Sequence, residues 1–172
     1  MKQLFVIRHA KSSWSDPSLS DRDRPLNKRG KHDAPLMGRV LRERGAGPDL
    51  MVASPARRAR KTALLIAEEI GYPREAISID ERIYEAGTTG IMELIEALPE
   101  SAERVYLIGH NPVLTDLVNE LTGDVVGHLP TCAIAAIEFA GEAWSETMRG
   151  AGRLMFFDYP KRHRPADAST DE

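Results

Sequence analysis

The chain has 172 residues, with 23 Lys and Arg against 26 Asp and Glu and a formal net charge of −3, which is enough for one substantial domain and short for two. The near balance of charge excludes a general attraction to nucleic acid or to an acidic membrane, so neither is an expected partner and any functional charge has to be local. One cysteine, Cys132, excludes an internal disulfide framework and fits a reducing compartment.

Gln3 to Ile7 reads as an apolar strand that stops at Arg8-His9. The run of about five apolar residues is too short for a secretory h-region, and no later run approaches the roughly 18 of a bilayer span, so the expected location is cytoplasmic. Ala10 to Asn27 is a long polar loop rich in Ser, Asp and Arg, with Trp14 inside it, and such loops usually serve a function. Asn27 can cap a turn through Gly30, but Pro35 is unfavourable inside a helix. The main helix is therefore expected to start near Asp33, with Pro35 in its first turn, and to end near Arg44 before Gly45-Ala46-Gly47-Pro48. Asp49 to Ala53 is a second strand. Ser54 and Pro55, a good N-cap and a good first residue, open a helix to about Ile70.

Ala76 to Asp80 reads as a short strand, Gly90 to Leu98 as a helix, and Arg104 to Gly109 as a strand ending in His110-Asn111-Pro112. Pro112 to Leu121 follows as a helix, and Ala133 to Phe139 and Arg153 to Phe157 as two late strands paired with each other. This alternation predicts an α/β fold, a sheet with helices on both faces. Residues 1–159 form one expected domain, and from Pro160 the loss of apolar residues predicts a disordered tail over 160–172.

In an open α/β sheet, ligands bind at the carboxyl ends of the strands. Arg8, His9 and His110 all stand at such ends. A third basic element, Arg57-Arg58-Ala59-Arg60-Lys61, places four cations in the first turns of a helix, where the macrodipole disfavours cations and favours anions. A phosphate gripped by an arginine fork would compensate. Arg57, Arg60 and Lys61 read as a solvated basic face, whereas Arg58, just before the apolar Ala59, can turn back over the strand ends. No metal site is expected, because Cys132 has no thiol partner and the five histidines show no HxH or HxxxH spacing. His32, His128 and His163 read as surface residues.

Arg8-His9 after the first strand, Arg24-Pro25-Leu26-Asn27 with Gly30, Ser54-Pro55 with Arg58-Ala59 and Thr62, and Gly109-His110-Asn111-Pro112 occur in order over Met1 to about Tyr159. Together they resemble the histidine phosphatase superfamily. The short chain, the Arg-Pro-Leu-Asn loop and Leu129-Pro130-Thr131 are most similar to its SixA-like phosphohistidine phosphatase branch. The resemblance implies a three-layer, phosphoglycerate-mutase-like α/β sandwich with a mostly parallel central sheet. It implies His9 as a transiently phosphorylated nucleophile, with Arg8, Arg58 and His110 around the phosphoryl group, and no cofactor. Nearby arginines would keep His9 neutral, and fixed positive donors suit phosphoryl transfer.

Arg24, Trp14 and Asn111 are candidate substrate-binding residues, Trp14 at the cleft mouth. Glu85, in Tyr84-Glu85-Ala86 beyond the third strand, is the candidate general acid; Asp16, Asp21 and Asp23 are weaker ones. An alkoxide needs a proton to leave and an imidazole far less. The first expected substrate is phosphohistidine on a protein, because no inserted segment is expected to close over the site. A small phosphomonoester is the alternative, and a phosphate-binding module without turnover is the reading from another class.

Overall fold

The computed structural model describes residues 1–147 and 149–164. Its first strand, β1 (Lys2–Arg8), is apolar on both faces. Leu4 and Val6 enter one core with Ile91, Leu94, Leu114 and Leu117, and Phe5 and Ile7 enter a second with Met37, Leu41 and Ile66. A strand buried on both faces must lie inside a sheet that is covered on both sides. The remaining strands are β2 (Leu50–Ala53), β3 (Ser78–Ile79), β4 (Arg104–Gly109), β5 (Ile134–Phe139) and β6 (Gly152–Asp158). They form a 6-stranded sheet in the order β3-β2-β4-β1-β5-β6. The pairs from β3 to β1 are parallel, and β5 joins β1 and β6 in antiparallel fashion. Helices α1 (Lys28–Glu43) and α2 (Arg57–Ile70) cover one face; the short α3 (Arg82–Glu85), α4 (Gly87–Glu96) and α5 (Val113–Thr122) cover the other. The fold is the expected mostly parallel α/β sandwich.

Three local expectations change. Helix α1 begins at Lys28, well before Asp33, and carries Pro35 in its interior. The Asn27 side chain accepts a hydrogen bond from the Gly30 amide at 2.9 Å, and Gly30 lies so close to the Lys11 carbonyl that a Cβ there would sit 2.2 Å from that oxygen. Capping and close docking of the first turn, with burial of Ala34, Met37 and Leu41, offset the hydrogen bond that the proline removes. Helix α2 begins at Arg57 behind Ala56, not at a Ser54 cap; the Ser54 hydroxyl accepts from the Ala56 amide, one residue before the helix, and faces His110. The segment expected as a tail from Pro160 starts instead with a 3₁₀ turn, Pro160–Arg162. His163 meets the buried Asp158 at 2.8 Å and Arg164 reaches the buried Asp33 at 3.7 Å. Charge partners in the body of the fold thus hold polar residues that composition alone assigns to solvent. The rest of that expectation, 165–172, lies outside the described residues.

Candidate active site

Parallel pairing of β1 with β4 sets Arg8 opposite Gly109, so the next residues, His9 and His110, leave the sheet side by side. Their ring centroids are 5.1 Å apart, and the His9 amide donates to the Gly109 carbonyl at 2.9 Å. On the other side of β4, Ala53 pairs with Ile108. This register brings the Ser54 hydroxyl to 2.7 Å from Nε2 of His110. Ser54 therefore orients an imidazole as well as accepting from the Ala56 amide at 3.2 Å.

A cleft of about 390 Å³ opens over these strand ends, lined by Arg8, His9, Trp14, Arg24, Arg58, His110 and Asn111 together with Lys11, Ser12 and Thr131. Seven of the eight residues singled out from the sequence thus share one depression. Glu85 is the exception: it is exposed and lines no part of the cleft. Successive side chains on a helical turn diverge by about 100°, and in α3 the inward direction belongs to Tyr84. Its ring packs edge-on against His110, with centroids 5.5 Å apart, and its hydroxyl donates to Oδ2 of Asp21 at 2.8 Å.

Nδ1 of His9 lies 2.7 Å from the Ala10 carbonyl. A carbonyl can only accept, so Nδ1 carries the proton and Nε2 keeps its lone pair. The guanidinium Nε of Arg58 is 3.4 Å from that Nε2. Burial, and after it the neighbouring His110, Arg58 and Arg8, push the His9 pKa down from 6.5 to about 3, against the opposing pull of the Ala10 carbonyl. Burial followed by Arg58 lowers His110 to about 4. Both rings are neutral at pH 7. The His9 backbone is held as well: its carbonyl accepts from the Cys132 amide at 3.0 Å, and the next amide, of Ala10, donates at 3.0 Å to Thr62, which itself donates to the Arg58 carbonyl at 2.8 Å. Cys132 adopts a positive φ of 60° at this point, and it is buried.

Arg58 is only 6% exposed and donates to the Asp21 carbonyl at 2.6 Å and to Asp21 Oδ2 at 3.0 Å. Burial of Asp21 is unfavourable, but hydrogen bonds from Tyr84, Arg58 and Arg24 outweigh it and hold the carboxyl down at about 2. Asp21 is thus ionised at neutral pH and is no proton donor. Arg8 donates to the Leu129 carbonyl at 2.8 Å. Its other Nη1 neighbour, 3.3 Å away, is Nε2 of His128, which the sequence suggested only as a surface residue; it is exposed, yet it contacts Arg8 and Asn111, two residues that line the cleft. Nε of Arg8 and Nδ1 of His110 are buried without hydrogen-bond partners among the described residues.

The three suggested substrate-binding residues differ in freedom. Trp14 is 77% exposed, and the Arg24 guanidinium lies 3.3 Å from its ring centroid. Arg24 also donates to the Ser13 carbonyl and to Asp21 Oδ1, both at 3.1 Å, so it braces the 10–27 loop. Asn111 donates to the Leu129 carbonyl at 2.9 Å and accepts from the Thr115 amide at 3.2 Å, which ties the β4–α5 turn to the segment before β5. Among the described residues no three His, Cys, Asp or Glu side chains gather to hold a metal ion, and no helix is long and apolar enough to cross a membrane.

Residues 4–98 match the family model of the histidine phosphatase superfamily, branch 1. That stretch carries Arg8, His9 and Arg58; His110 lies beyond it and joins them through the register of β4 on β1. An uncharacterized protein of Mycobacterium tuberculosis is 30% identical over 165 residues, spanning 90% of this chain and 100% of that protein. The fold is similar to that of the protein histidine phosphatase SixA complexed with tungstate, with a TM-score of 0.82 and 24% identity over 94% of this chain and 99% of the other. It is also similar to a candidate phosphohistidine phosphatase SixA from Agrobacterium tumefaciens, with a TM-score of 0.79 and 26% identity over 92% and 98% of the two chains.

Proposed function

Since the chain belongs to the histidine phosphatase superfamily, branch 1, we propose that it is a phosphatase that carries the phosphoryl group transiently on Nε2 of His9, and that its substrate is phosphohistidine on a protein. In the first step the Nε2 lone pair attacks phosphorus in line; a P–N bond to His9 forms as the P–N bond to the substrate ring, protonated on its other nitrogen, breaks and that ring leaves as neutral imidazole. In the second, water attacks the phosphorus, His9 departs as a neutral ring, and the protons of the water end on the phosphate, one of them passing to solvent. The chemistry asks for fixed positive donors around the transferred oxygens. Arg8, Arg58 and His110 surround the attack position, and the unsatisfied Arg8 Nε and His110 Nδ1 are donors that phosphoryl oxygens would complete. Ser54 supports His110 in this role: by donating to Nε2 it leaves the proton on Nδ1. The charge comes from arginine, so the reaction needs no metal.

The observation that carries the choice of substrate is the state of the carboxyls. Asp21, which stands beside Arg58, is ionised, and Glu85 is exposed and lines no part of the cleft. A site without a positioned acid suits a leaving group that departs without a strong push, as imidazole does and an alkoxide does not. The test compares phosphohistidine peptide, p-nitrophenyl phosphate and an alkyl phosphate on the wild type and on Glu85→Gln. The expected ranking places the alkyl phosphate last, and Glu85→Gln should change none of the three by more than about threefold. An alkyl phosphate turned over as efficiently as phosphohistidine, and lost in Glu85→Gln, would reverse the assignment; turnover of none would reduce the protein to a phosphate-binding module.

A further inference from the structure

A second and larger depression, of about 630 Å³, lies outside the catalytic cleft. Its floor is apolar: Pro25 and Leu26 from the loop, Leu64 and Leu65 from α2. Its rim is cationic, with Lys31 from α1 facing Arg57, Arg60 and Lys61. The α2 contributors recur at i, i+3, i+4, i+7 and i+8, which makes them one stripe of the helix, distinct from the stripe that Ala59, Ala63 and Ile66 bury in the core. Two independent observations show that this stripe is electrostatically unsatisfied. None of the four rim cations makes an ion pair among the described residues, although their neighbours Arg22, Arg24 and Arg58 do; Arg57 and Arg60 reach only backbone carbonyls, of Asp23 and Pro55. The first turn of α2 also holds no acidic residue, so three cations stand at the positive end of a helix dipole in a chain whose net charge is negative.

We propose that this groove is a docking site for an acidic segment with aliphatic side chains on the protein that carries the phosphohistidine. The inference rests on the substrate class proposed above and extends it from the phosphorylated residue to its flanking chain. Carboxylates on such a segment pair with Lys31, Arg57, Arg60 and Lys61 while its aliphatic side chains cover Leu64, Leu65 and Pro25. The placement is productive because neighbouring residues of the chain line the two depressions: Arg24 lines the cleft and Pro25 the groove, Arg58 the cleft and Arg57 the groove. A segment seated in the groove therefore runs toward His9. Single-stranded nucleic acid fits less well, since binding it relies on aromatic platforms and no aromatic side chain lines the groove among the described residues. A membrane surface fits less well because the site is concave.

The test uses the double variant Arg60→Glu/Lys61→Glu in the full chain. Acidic side chains in the first turns of a helix favour its dipole, so the variant should fold, and p-nitrophenyl phosphate hydrolysis should stay within about twofold of wild type because neither residue lines the cleft. Two measurements follow: binding of a fluorescent, unphosphorylated peptide that alternates Glu and Leu, and KM for a phosphohistidine peptide extended by the same sequence. We expect both binding and KM to worsen at least about tenfold in the variant, the sum of two exposed charge contacts each reversed. Unchanged peptide binding and KM would overturn the docking site, even if phosphohistidine is the substrate. Loss of peptide binding in the variant would uphold the site even if phosphohistidine proves not to be hydrolysed, because that measurement involves no chemistry. A single-stranded oligonucleotide or phosphatidylserine vesicles binding more tightly than the peptide, with that binding lost in the variant, would overturn the choice of a protein partner.

Discussion

Replacing Arg58 by alanine tests the centre of the mechanism, with Arg57→Ala as its neighbour control. Arg58 is buried, its Nε is 3.4 Å from Nε2 of His9, the proposed nucleophile, and its other nitrogens bind Asp21. Losing one preorganised donor to a developing oxyanion costs about 2.7–4 kcal/mol, which corresponds to about 10²–10³ in kcat/KM. The structural cost is smaller. Asp21 loses two hydrogen bonds, worth about 0.5–1.5 kcal/mol each, but keeps Tyr84 at 2.8 Å and Arg24 at 3.1 Å, so the variant should remain folded. Arg57 is exposed and touches only the Asp23 carbonyl, at 3.5 Å; its removal should change either quantity by less than about 0.5 kcal/mol. The assay is hydrolysis of p-nitrophenyl phosphate, which leaves the neighbouring groove empty, alongside thermal unfolding. Because Arg58 is one of the charges that depress His9, the His9 pKa should also rise in Arg58→Ala, visible in its ring proton resonances. Arg58→Ala within tenfold of wild type, or Arg57→Ala falling as far, would show that the wrong guanidinium has been placed beside the nucleophile.

Three further outcomes follow from the geometry. His9→Ala should abolish turnover while retaining tungstate binding, and brief acid-free quenching of wild type with substrate should leave base-stable, acid-labile phosphate on His9; activity within tenfold of wild type would exclude the covalent route. With folded-state pKa values of about 3 for His9 and about 4 for His110, both below the ordinary 6.5, the unfolded chain binds protons that the native state does not. Their contribution to stability is therefore complete above pH 6.5 and is lost as pH falls toward those values, so Tm should drop through that window and do so less in His9→Gln; ring resonances assigned to His9 and His110 that titrate near pH 6.5 would contradict it. Gly30→Ala should destabilise by about 1–3 kcal/mol and lower activity, because the new Cβ would sit 2.2 Å from the Lys11 carbonyl just beyond His9, whereas Gly47→Ala, with nothing within 4 Å, should be near neutral by chemical denaturation.

The sequence by itself determined which residues meet at the strand ends. An apolar run that ends in Arg8-His9, and another that ends in Gly109-His110, mark two strands and the points at which each leaves the sheet, because strand burial and the polar break are written in adjacent residues. Much of the element order follows from the same local logic, and so does Asn27 acting through Gly30. Long-range pairing is what only the tertiary structure decided. Ser54 looked like a helix cap because its neighbours are Pro55 and a helix; that it supports His110, 56 residues away, depends on β2 lying beside β4. Asp21 looked like one of several loop carboxylates until the fold set it against Arg58 and Tyr84, 37 and 63 residues distant. Glu85 and Tyr84 were equivalent as neighbours in a turn, and only the packing of α3 over β4 chose Tyr84 to face inward. Helix α1 runs through Pro35 for the same reason: propensity counts one lost hydrogen bond, whereas the docking of Gly30 against Lys11 and the burial of Met37 and Leu41 belong to surfaces that meet only when the sheet has formed.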